Sequence, residues 1–288
     1  MQNKKSKLDN PILKSISTIL FKKTTSKIGT ILIVLFLALI FIGPFVIPYG
    51  PTQYTPDRYS PPSLAHPLGT DNLGHDVLSQ VVYGAYPSLI VALLSSIGGA
   101  LIGLFAGVLG GYYTRAEGFV SGAADIIVTF PPLPLLILVG MISPNIGNLI
   151  IIALIAVLWA PVGRAVRSQV LSVRKRPFVD AAKASGMSDL KIVMKIMIPE
   201  TASIAFAYFI LDVAVAIIIV TALEFLGVGN PNQVSWGSMF YWGEQFAFPA
   251  GAWWWVLAPG VSILIVAMSL ALIGFSIEEA LNPRLRTQ

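Results

Sequence analysis

The sequence contains no cysteine, and it carries little charge for its length. Without cysteine the chain can form neither a disulfide framework nor a cysteine-based metal site, and it offers no thiol nucleophile. Only 11% of its 288 residues are Asp, Glu, Lys or Arg, whereas about a quarter of the residues in a soluble domain are charged. With 55% hydrophobic residues, the chain is expected to use lipid as part of its solvent.

Motifs for nucleotide binding and for catalysis are also missing. The sequence has no Gly-x4-Gly-Lys-Ser/Thr phosphate loop and no paired dinucleotide fingerprint. No Ser, His and Asp residues are ordered as a set on one side of the predicted membrane. The chain is therefore predicted to be no enzyme, to bind no cofactor of its own and to have no nucleic-acid partner.

Long apolar runs are the main positive feature. A helix needs roughly 20 apolar residues to cross a bilayer core, and lipid offers the backbone no other hydrogen-bonding partner. Proline interrupts the third run at 131, 132 and 134, and the tight turn 143–147 predicts a helical hairpin between the third and fourth. The sequence therefore predicts an all-α membrane protein with six transmembrane helices, in the runs 28–47, 87–112, 125–142, 148–163, 201–226 and 253–275.

The basic residues predict the orientation of these helices. With six spans, all of the 19 lysines and arginines except Arg58 fall on one face. Loops on the cytoplasmic side carry an excess of such residues, so both termini are predicted to be cytoplasmic in a multi-pass protein of the cell membrane. The divisions are then a basic tail 1–27, the first span 28–47, an extracytoplasmic segment 48–86, a five-helix core 87–275 and a C-terminal tail 276–288.

Two long segments are predicted on the outer face. In 48–86, apolar residues recur at helical spacing from Leu73 to Val82, which predicts a short helix lying in the interface. The histidines and aspartates at 66, 71, 75 and 76 could cap the loop and pair with Arg58, or alternatively bind a metal, although no metal site is assigned. The second segment, 227–252, leads into Trp253 and is rich in aromatic residues, which indicates an interfacial belt or a docking surface for an external protein.

The segment between the fourth and fifth spans predicts two short helices with a break. Pro177 suits a first helical position, and Asp180 lies in the first turn, where the helix dipole favours an anion. Gly186 can adopt the left-handed conformation that ends a helix, Ser188 can cap the next helix, and Pro199 is expected to restart the chain into the fifth span. The first helix is rich in alanine, so it could fit a groove of another protein.

This segment resembles a known motif. The pattern Asp-Ala-Ala-x3-Gly-x9-Ile-x-Ile-Pro, from Asp180 to Pro199, is similar to the "EAA" loop of bacterial and archaeal ABC importer permeases, with Asp180 and Ile198 in place of the usual Glu and Leu. Other motifs resemble the C-type permeases of dipeptide, oligopeptide and nickel importers. They are His-Pro-Leu-Gly-Thr-Asp at 66–71 followed by Gly74, Asp76 and Ser79, the glycines Gly99, Gly103, Gly107, Gly110 and Gly111, Phe-Leu-Gly-Val-Gly at 225–229, Ser-Trp-Gly at 235–237, Pro-Gly at 259–260 and Asn-Pro-Arg at 282–284.

The resemblance spans about 28–286, with three departures. The family usually has Arg at the position of His75. It usually has an acidic residue near Val220, whereas the nearby acidic residue in this chain is Glu224. It usually has Gly-Asp where this chain has Gly274 and Phe275. The resemblance implies a type I ABC importer-like permease for di- or oligopeptides, with nickel or oligosaccharides as alternative cargo. An ion-coupled secondary transporter is a rival, although no internal repeat is evident, and a membrane-embedded enzyme would need polar residues that the spans lack.

The resemblance also implies partners and site residues. The loop 171–200 would hold a cytoplasmic coupling helix that docks on an ATPase subunit. The implied partners are a second homologous permease, two ATP-binding subunits or domains that hold ATP and Mg, an extracytoplasmic substrate-binding protein and membrane lipid. The residues implied in coupling are Asp180, Ala181, Ala182, Gly186, Ile196 and Pro199.

A stripe of glycine marks the second span. Its members repeat every four residues and so lie on one face of a helix, where small residues let helices approach closely in lipid. They are Gly99, Gly103, Gly107 and Gly111. The stripe is predicted to pack either against another helix within the subunit or against the second permease.

Acidic residues within the spans are the remaining candidates. Asp212 lies near the middle of the fifth span, where a lipid-exposed carboxylate costs ~3 kcal/mol or more. It could line the translocation path and attract a peptide amino group or a cation, or it could be buried and hydrogen-bonded. Asp125 and Glu224, near opposite faces, are interpreted as structural or gating residues.

Overall fold

The computed structural model describes residues 23–142, 146–230 and 232–281. These residues contain ten α-helices and no strand, apart from one isolated bridge between Thr70 and Asp76. The helices are α1 Thr24–Val46, α2 Val77–Tyr112, α3 Thr114–Thr129, α4 Pro132–Ile142, α5 Ile146–Val173, α6 Pro177–Ala184, α7 Asp189–Ile192, α8 Ile198–Phe225, α9 Trp236–Ala250 and α10 Trp253–Leu281. A π-helical turn, Val193–Met197, joins α7 to α8.

Five helical segments are long and apolar enough to cross a membrane, and a sixth crossing is made if one bent pair counts as a span. The five are α1, α2, α5, the continuous unit α7–α8 and α10, and the bent pair is α3 with α4. The chain is therefore an all-α, multi-pass membrane protein, which confirms the predicted fold class.

The predicted third span, 125–142, is wrong as a single helix. Its first part is the end of α3, its second part is α4, and the two helices meet at an angle of 86°. Pro131 explains the break, because proline donates no backbone hydrogen bond and disfavours a helical conformation at the residue before it, here Phe130. Helix α4 then packs beside α5 as a hairpin, whose turn 143–145 lies outside the described residues.

The helix α2 begins ten residues earlier than the predicted second span. The side chain of Asp76 caps it by accepting a hydrogen bond from the backbone N–H of Ser79 at 2.8 Å. The expected separate interfacial helix is not formed, since these residues are the first turns of α2. Val77 and Val82 are fully buried there, so packing against the core holds them away from the interface, and the helix continues through Pro87.

The glycine stripe of α2 packs against α5 within the chain. A Cβ atom added at Gly103 would lie 2.5 Å from the Cβ of Val162 and 2.7 Å from the carbonyl oxygen of Trp159, closer than real Cβ contacts allow. The other three glycines meet side chains of α5 at similarly short distances: Gly99 would place its Cβ 2.8 Å from Leu158, Gly107 2.7 Å from Val166, and Gly111 2.7 Å from Val170. All four glycines are buried.

This contact decides between the two interpretations of the stripe. Because Gly99, Gly103, Gly107 and Gly111 are all covered by α5 of the same chain, the stripe serves packing within the subunit. The alternative, that these four glycines face a second permease, is therefore wrong for this structure. The sequence could not distinguish the two, since a small-residue stripe fits any closely approaching helix.

The bundle has two chemically different ends. The C-termini of α2 and α5, the start of α7 and the whole of α6 lie together at one end, which we call the basic end because Arg174, Lys183 and other basic residues surround it. The opposite, loop end holds residues 47–76, the end of α8 and α9. A buried apolar cluster around Trp236 lies toward the loop end, and a second around Met197 lies toward the basic end.

We expect Gly103→Ala to destabilise the folded protein, because the new methyl group would overlap Val162 and overpacking costs about 1–3 kcal/mol. Thermal unfolding of the purified protein in detergent measures the effect. The matched control is Gly118→Ala on α3, where an added Cβ meets no atom within 4 Å, so stability should hold or rise slightly. Equal melting temperatures for both variants would contradict close packing of α2 on α5.

Candidate functional site

The short helix α6 stands at the surface of the basic end. Pro177 is its first residue and Asp180 lies in its first turn, as the sequence predicts. Asp180 and Ala181 are exposed, and Ala182 is half-buried. Only Val179 is fully buried, and it inserts into the apolar cluster around Met197. The helix is thus anchored by one side chain and presents most of its surface outward.

The end of α6 depends on a left-handed residue. Gly186 has a φ of +79°, and the backbone N–H groups of Gly186 and Met187 donate to the carbonyl oxygens of Lys183 and Ala182 at 2.9 Å and 3.0 Å. These bonds satisfy carbonyl groups at the helix end. An added Cβ at Gly186 would meet nothing within 4 Å, so the requirement for glycine there is conformational and not steric.

The predicted restart of the chain at Pro199 is wrong. Helix α7, the π-helical turn and α8 form one continuous unit, Asp189–Phe225. Proline cannot donate the regular hydrogen bond to the residue four positions earlier, and the wider π turn just before Pro199 accommodates this loss. Ile196 is half-buried inside that turn. Ser188 does occupy the N-cap position of α7, but its side chain makes no capping hydrogen bond.

Tyr112 connects the parts of the basic end, although no sequence motif points to it. Its hydroxyl group donates to Oδ1 of Asp189 at 2.5 Å. The guanidinium of Arg174 and the Nζ of Lys183 each lie 5.6 Å from the centre of its ring, within the range of a cation–π interaction. The last residue of α2 therefore contacts the residue that follows α5, the helix α6 and the first residue of α7.

Three large apolar side chains are exposed on α6 and on the segment that follows it. Phe178, Leu190 and Met194 are 44%, 67% and 55% exposed, on the segment that Asp180 and Gly186 also occupy. Large apolar side chains exposed together at the water-facing end of a membrane protein are typical of a contact surface for another protein.

A polar groove of about 660 Å³ lies between α3 and α5 near the same end. Arg164 and Arg167 of α5 line it and form ion pairs with Asp125 and Glu117 of α3. Asp125 is therefore paired across two helices, which agrees with its structural interpretation.

Glu224 lies near the C-terminal end of α8, at the loop end of the bundle. Its Oε2 accepts a hydrogen bond from the hydroxyl group of Ser235 at 2.7 Å, and Ser235 forms a capping box with Ser238 at the start of α9. The carboxylate thus lies at a helix N-terminus, where the dipole favours it. The end of α8 is tied to α9 in this way.

The aromatic residues at the loop end do not all form an interfacial belt. Trp236 is fully buried and donates its indole N–H to the carbonyl oxygen of Val81 at 3.0 Å. Trp255 is also buried, whereas Phe248 and Trp253 are largely exposed. The belt interpretation therefore applies only to the exposed members.

The two histidines of 66–76 each pair with a carboxylate. His66 Nδ1 lies 2.9 Å from Oδ1 of Asp76, and His75 Nδ1 lies 2.8 Å from Oδ2 of Asp71. Capping of the loop is confirmed, but the expected ion pair with Arg58 is not among those of the described residues. No group of three metal-ligating side chains occurs in the described part of the chain.

Asp212 is buried far from α6. It is 6% exposed, and its Oδ2 has no hydrogen-bonding partner among the described residues. It does not line the polar groove between α3 and α5. The structure therefore does not bring it to the surface around α6, and its place on a translocation path stays a prediction.

Comparison with known proteins identifies the family. Residues 99–287 match the model of the binding-protein-dependent transport system inner membrane component. The chain belongs to this family. The matched part includes α6, Gly186 and the whole of α8, and the match confirms the resemblance that the motifs indicate.

Several permeases are similar to this one. A dipeptide transport system permease protein of Alkalihalophilus pseudofirmus is 35% identical over 223 residues, 76% of this chain and 72% of the relative. A dipeptide transport system permease protein of Bacillus subtilis is 32% identical over 270 residues, 92% and 84% of the two chains. A putative peptide transport system permease protein of Brucella suis is 33% identical over 222 residues, 76% and 74%.

We expect Tyr112→Phe to loosen the segment 177–192 of this permease, because the hydrogen bond to Asp189 is lost while the ring remains. Such a bond to a charged group contributes about 1.5–3 kcal/mol. Amide hydrogen exchange in that segment should become faster. Tyr113→Phe is the matched control, since no hydrogen bond of the described residues uses its hydroxyl group. Unchanged exchange in Tyr112→Phe would rule out this connecting role.

Proposed function

We propose that the chain is the permease subunit of an ATP-driven importer of di- or oligopeptides, which moves its substrate by alternating access. Its membership in the binding-protein-dependent transport family carries the proposal, and the names of the three relatives indicate the cargo. The chain is a transport component and not the catalytic one. ATP and Mg would be bound by partner subunits, and an extracytoplasmic binding protein would deliver the peptide.

The basic end is assigned to the cytosol. The positive-inside rule supports this orientation, because Arg58 is the only lysine or arginine of the described residues that lies at the loop end. Both termini are then cytoplasmic. The loop end, with α9 and residues 47–76, faces the binding protein.

The surface around α6 would receive the ATPase subunit. Two features support this assignment. The protruding helix α6 has small residues at Ala181 and Ala182. The side chains of Phe178, Leu190 and Met194 expose apolar surface. A second homologous permease would present the same surface to a second ATP-binding subunit. Closure of the two ATPases would push both α6 helices.

Transmission of this push would follow the unit Asp189–Phe225. Its 37 residues span ~55 Å at about 1.5 Å per residue. Tyr112 holds one end through Asp189, and Ser235 holds the other through Glu224. A displacement of α6 would therefore move α9 at the outer face. The two states of the bundle in alternating access would differ there. Asp212, in the middle of this unit, would be carried with it.

Reconstitution tests the proposed function. Proteoliposomes that contain this chain, its partner permease and the ATPase subunits should accumulate labelled dialanine only when ATP and the binding protein are both supplied. Omission of either should abolish uptake. Uptake by this chain alone, driven by an ion gradient without ATP, would contradict the proposal and favour a secondary transporter.

Substitution at Gly186 tests the role of α6. Gly186→Val should uncouple ATP hydrolysis from uptake, because a β-branched residue is strained at a φ of +79° by roughly 1–3 kcal/mol. Gly186→Asn is the control, since asparagine tolerates this conformation and no atom obstructs its Cβ. Uptake and binding-protein-stimulated ATPase activity are measured in both. Full coupling in Gly186→Val would refute the assignment.

A further inference from the structure

The polar groove between α3 and α5 has no part in the proposed coupling. Its volume of about 660 Å³ is in the range of small-molecule sites. Small residues, Gly118, Ala124 and Gly163, leave its space open, and a Cβ added at Gly118 would meet no atom within 4 Å. The groove is therefore an open hollow in the side of the bundle.

The groove carries charge deep into segments that cross the membrane. Asp125 lies on α3 at ~16 Å from the first residue of that helix at the basic end, at about 1.5 Å per residue. Arg164 lies ~14 Å before the last residue of α5 by the same measure. Helix α5 is a candidate span, and α3 is one half of the bent pair. Charged residues in such segments are costly in lipid, and they typically face a water-filled cavity or a substrate path.

The charged side chains of the groove can be reached from its opening. The side chains of Arg164 and Asp125 are 45% and 67% exposed, and those of Arg167 and Glu117 are 27% and 41% exposed. One hydrogen bond joins each pair, from Nη2 of the arginine to a single carboxylate oxygen. A guanidinium has five N–H donors and a carboxylate has two acceptor oxygens. Both pairs therefore keep hydrogen-bonding capacity for a ligand, and an exposed ion pair is weak enough to be separated by one.

A break in a membrane-crossing segment adjoins the same residues. Helix α3 ends at Thr129, one turn beyond Asp125, and α4 continues at an angle of 86° after Pro131. Among the described residues this is the only bent span. Transporters often build substrate sites from interrupted membrane helices, because irregular backbone at that depth is tolerated where it lines a cavity. The break and the buried charge thus point to the same groove.

The charge balance of the groove indicates the ligand. The described residues that line it include two acidic and two basic side chains, so their net charge is zero. The acidic pair, Glu117 and Asp125, lies on the α3 wall, and the basic pair, Arg164 and Arg167, lies on the α5 wall. A simple anion or cation would match one wall and oppose the other, whereas a ligand with one charge of each sign complements both.

A short peptide has this arrangement of charge, with an ammonium group at one end and a carboxylate at the other. We propose that the groove binds both charged termini of the peptide substrate, on the cytoplasmic half of the translocation path. The carboxylates of Glu117 and Asp125 accept from the ammonium group. The guanidinium groups of Arg164 and Arg167 donate to the peptide carboxylate, for which their planar geometry is suited. This assignment rests on the proposed peptide importer function.

Protection of an introduced thiol tests the site. The chain has no cysteine, so Gly118→Cys places its one thiol in the groove, where no atom obstructs it. The assembled transporter, in lipid nanodiscs without ATP or the binding protein, is treated with N-ethylmaleimide, and modification of this chain is followed by mass spectrometry. Dialanine at about ten times its Kd should slow the modification about tenfold, because only about one site in eleven then stays free.

Gly122→Cys is the matched control for this measurement. Gly122 lies one turn further along α3 and outside the groove lining, and an added Cβ there also meets nothing within 4 Å. Its modification should not depend on dialanine. N-acetyl-dialanine amide, which carries neither charge, should protect neither thiol. Failure of dialanine to protect Gly118→Cys would overturn the proposal.

A change at one peptide terminus separates ligand contact from a structural role. Dialanine amide lacks the carboxylate, so it should protect Gly118→Cys with an affinity about ten- to hundredfold below that of dialanine. Addition of Arg164→Gln should reduce this difference at least about threefold, because one guanidinium no longer meets the carboxylate. Arg115→Gln, at an exposed position of α3 outside the groove lining, should keep the full difference. An undiminished difference in Arg164→Gln would contradict the assigned contact.

The remaining outcomes distinguish this site from the importer function. If ATP-dependent peptide uptake persists while dialanine gives no protection, the site is wrong and the function stands. If Gly118→Cys is modified in the isolated chain and not in the assembly, the second permease fills the groove, and the peptide site is wrong. The site is equally wrong if modification depends on anionic lipid and not on dialanine. Protection by dialanine without any uptake by the wild-type assembly would overturn the importer function and leave peptide binding in place.

Discussion

The close contact between α2 and α5 is the constraint on which the rest of the bundle depends. No hydrophobic effect drives helices together in lipid, so helices associate in a membrane through tight packing. The glycines of α2, from Gly99 to Gly111, let the side chains of α5 approach its backbone along four turns. That contact fixes the two helices relative to each other, and Tyr112 ends α2 while Arg174 directly follows α5. The position of α6 therefore follows from packing deep in the bundle.

The two ends of the continuous unit Asp189–Phe225 are held by different chemistry. At the basic end, Tyr112 contacts Asp189 by a hydrogen bond and two cations through its ring. At the loop end, Glu224 lies at the start of α9 and bonds to Ser235. Both connections are polar and directional, whereas the middle of α8 packs mainly through apolar contacts, which have no preferred direction. A helix that is held in this way at its ends can move as one body.

Local sequence signals predicted the short elements well. Pro177 and Gly186 mark the limits of α6 because each acts on its own backbone, and no distant contact is needed. The hydropathy of the spans and the fold class follow from the same kind of local information. Several of the predictions that failed concern proline. Pro131 breaks a helix, but Pro87, Pro161 and Pro199 lie inside continuous helical segments, because packing or a π turn compensates for the lost hydrogen bond.

Long-range contacts could not be predicted from the sequence. Tyr112 and Asp189 are separated by 77 positions, and neither belongs to a pattern that pairs them. Trp236 lies in an aromatic-rich segment that indicates the membrane surface, yet it is a core residue. The hydrogen bonds around Asp71 are by contrast local, since His75 and Gln80 lie within nine positions of it.

The wide π turn at Val193–Met197 gives α8 a way to rotate about its own axis. A turn that accommodates one additional residue rotates everything beyond it by about 100° relative to a regular helix, since each residue of an α-helix advances by 1/3.6 of a circle. If that turn tightened while Tyr112 kept its hold on Asp189, α8 would twist about its own axis. The residues that α8 presents to its neighbours would then change, and the segment would lengthen by only about 1.5 Å, the rise of the one residue taken into the regular helix.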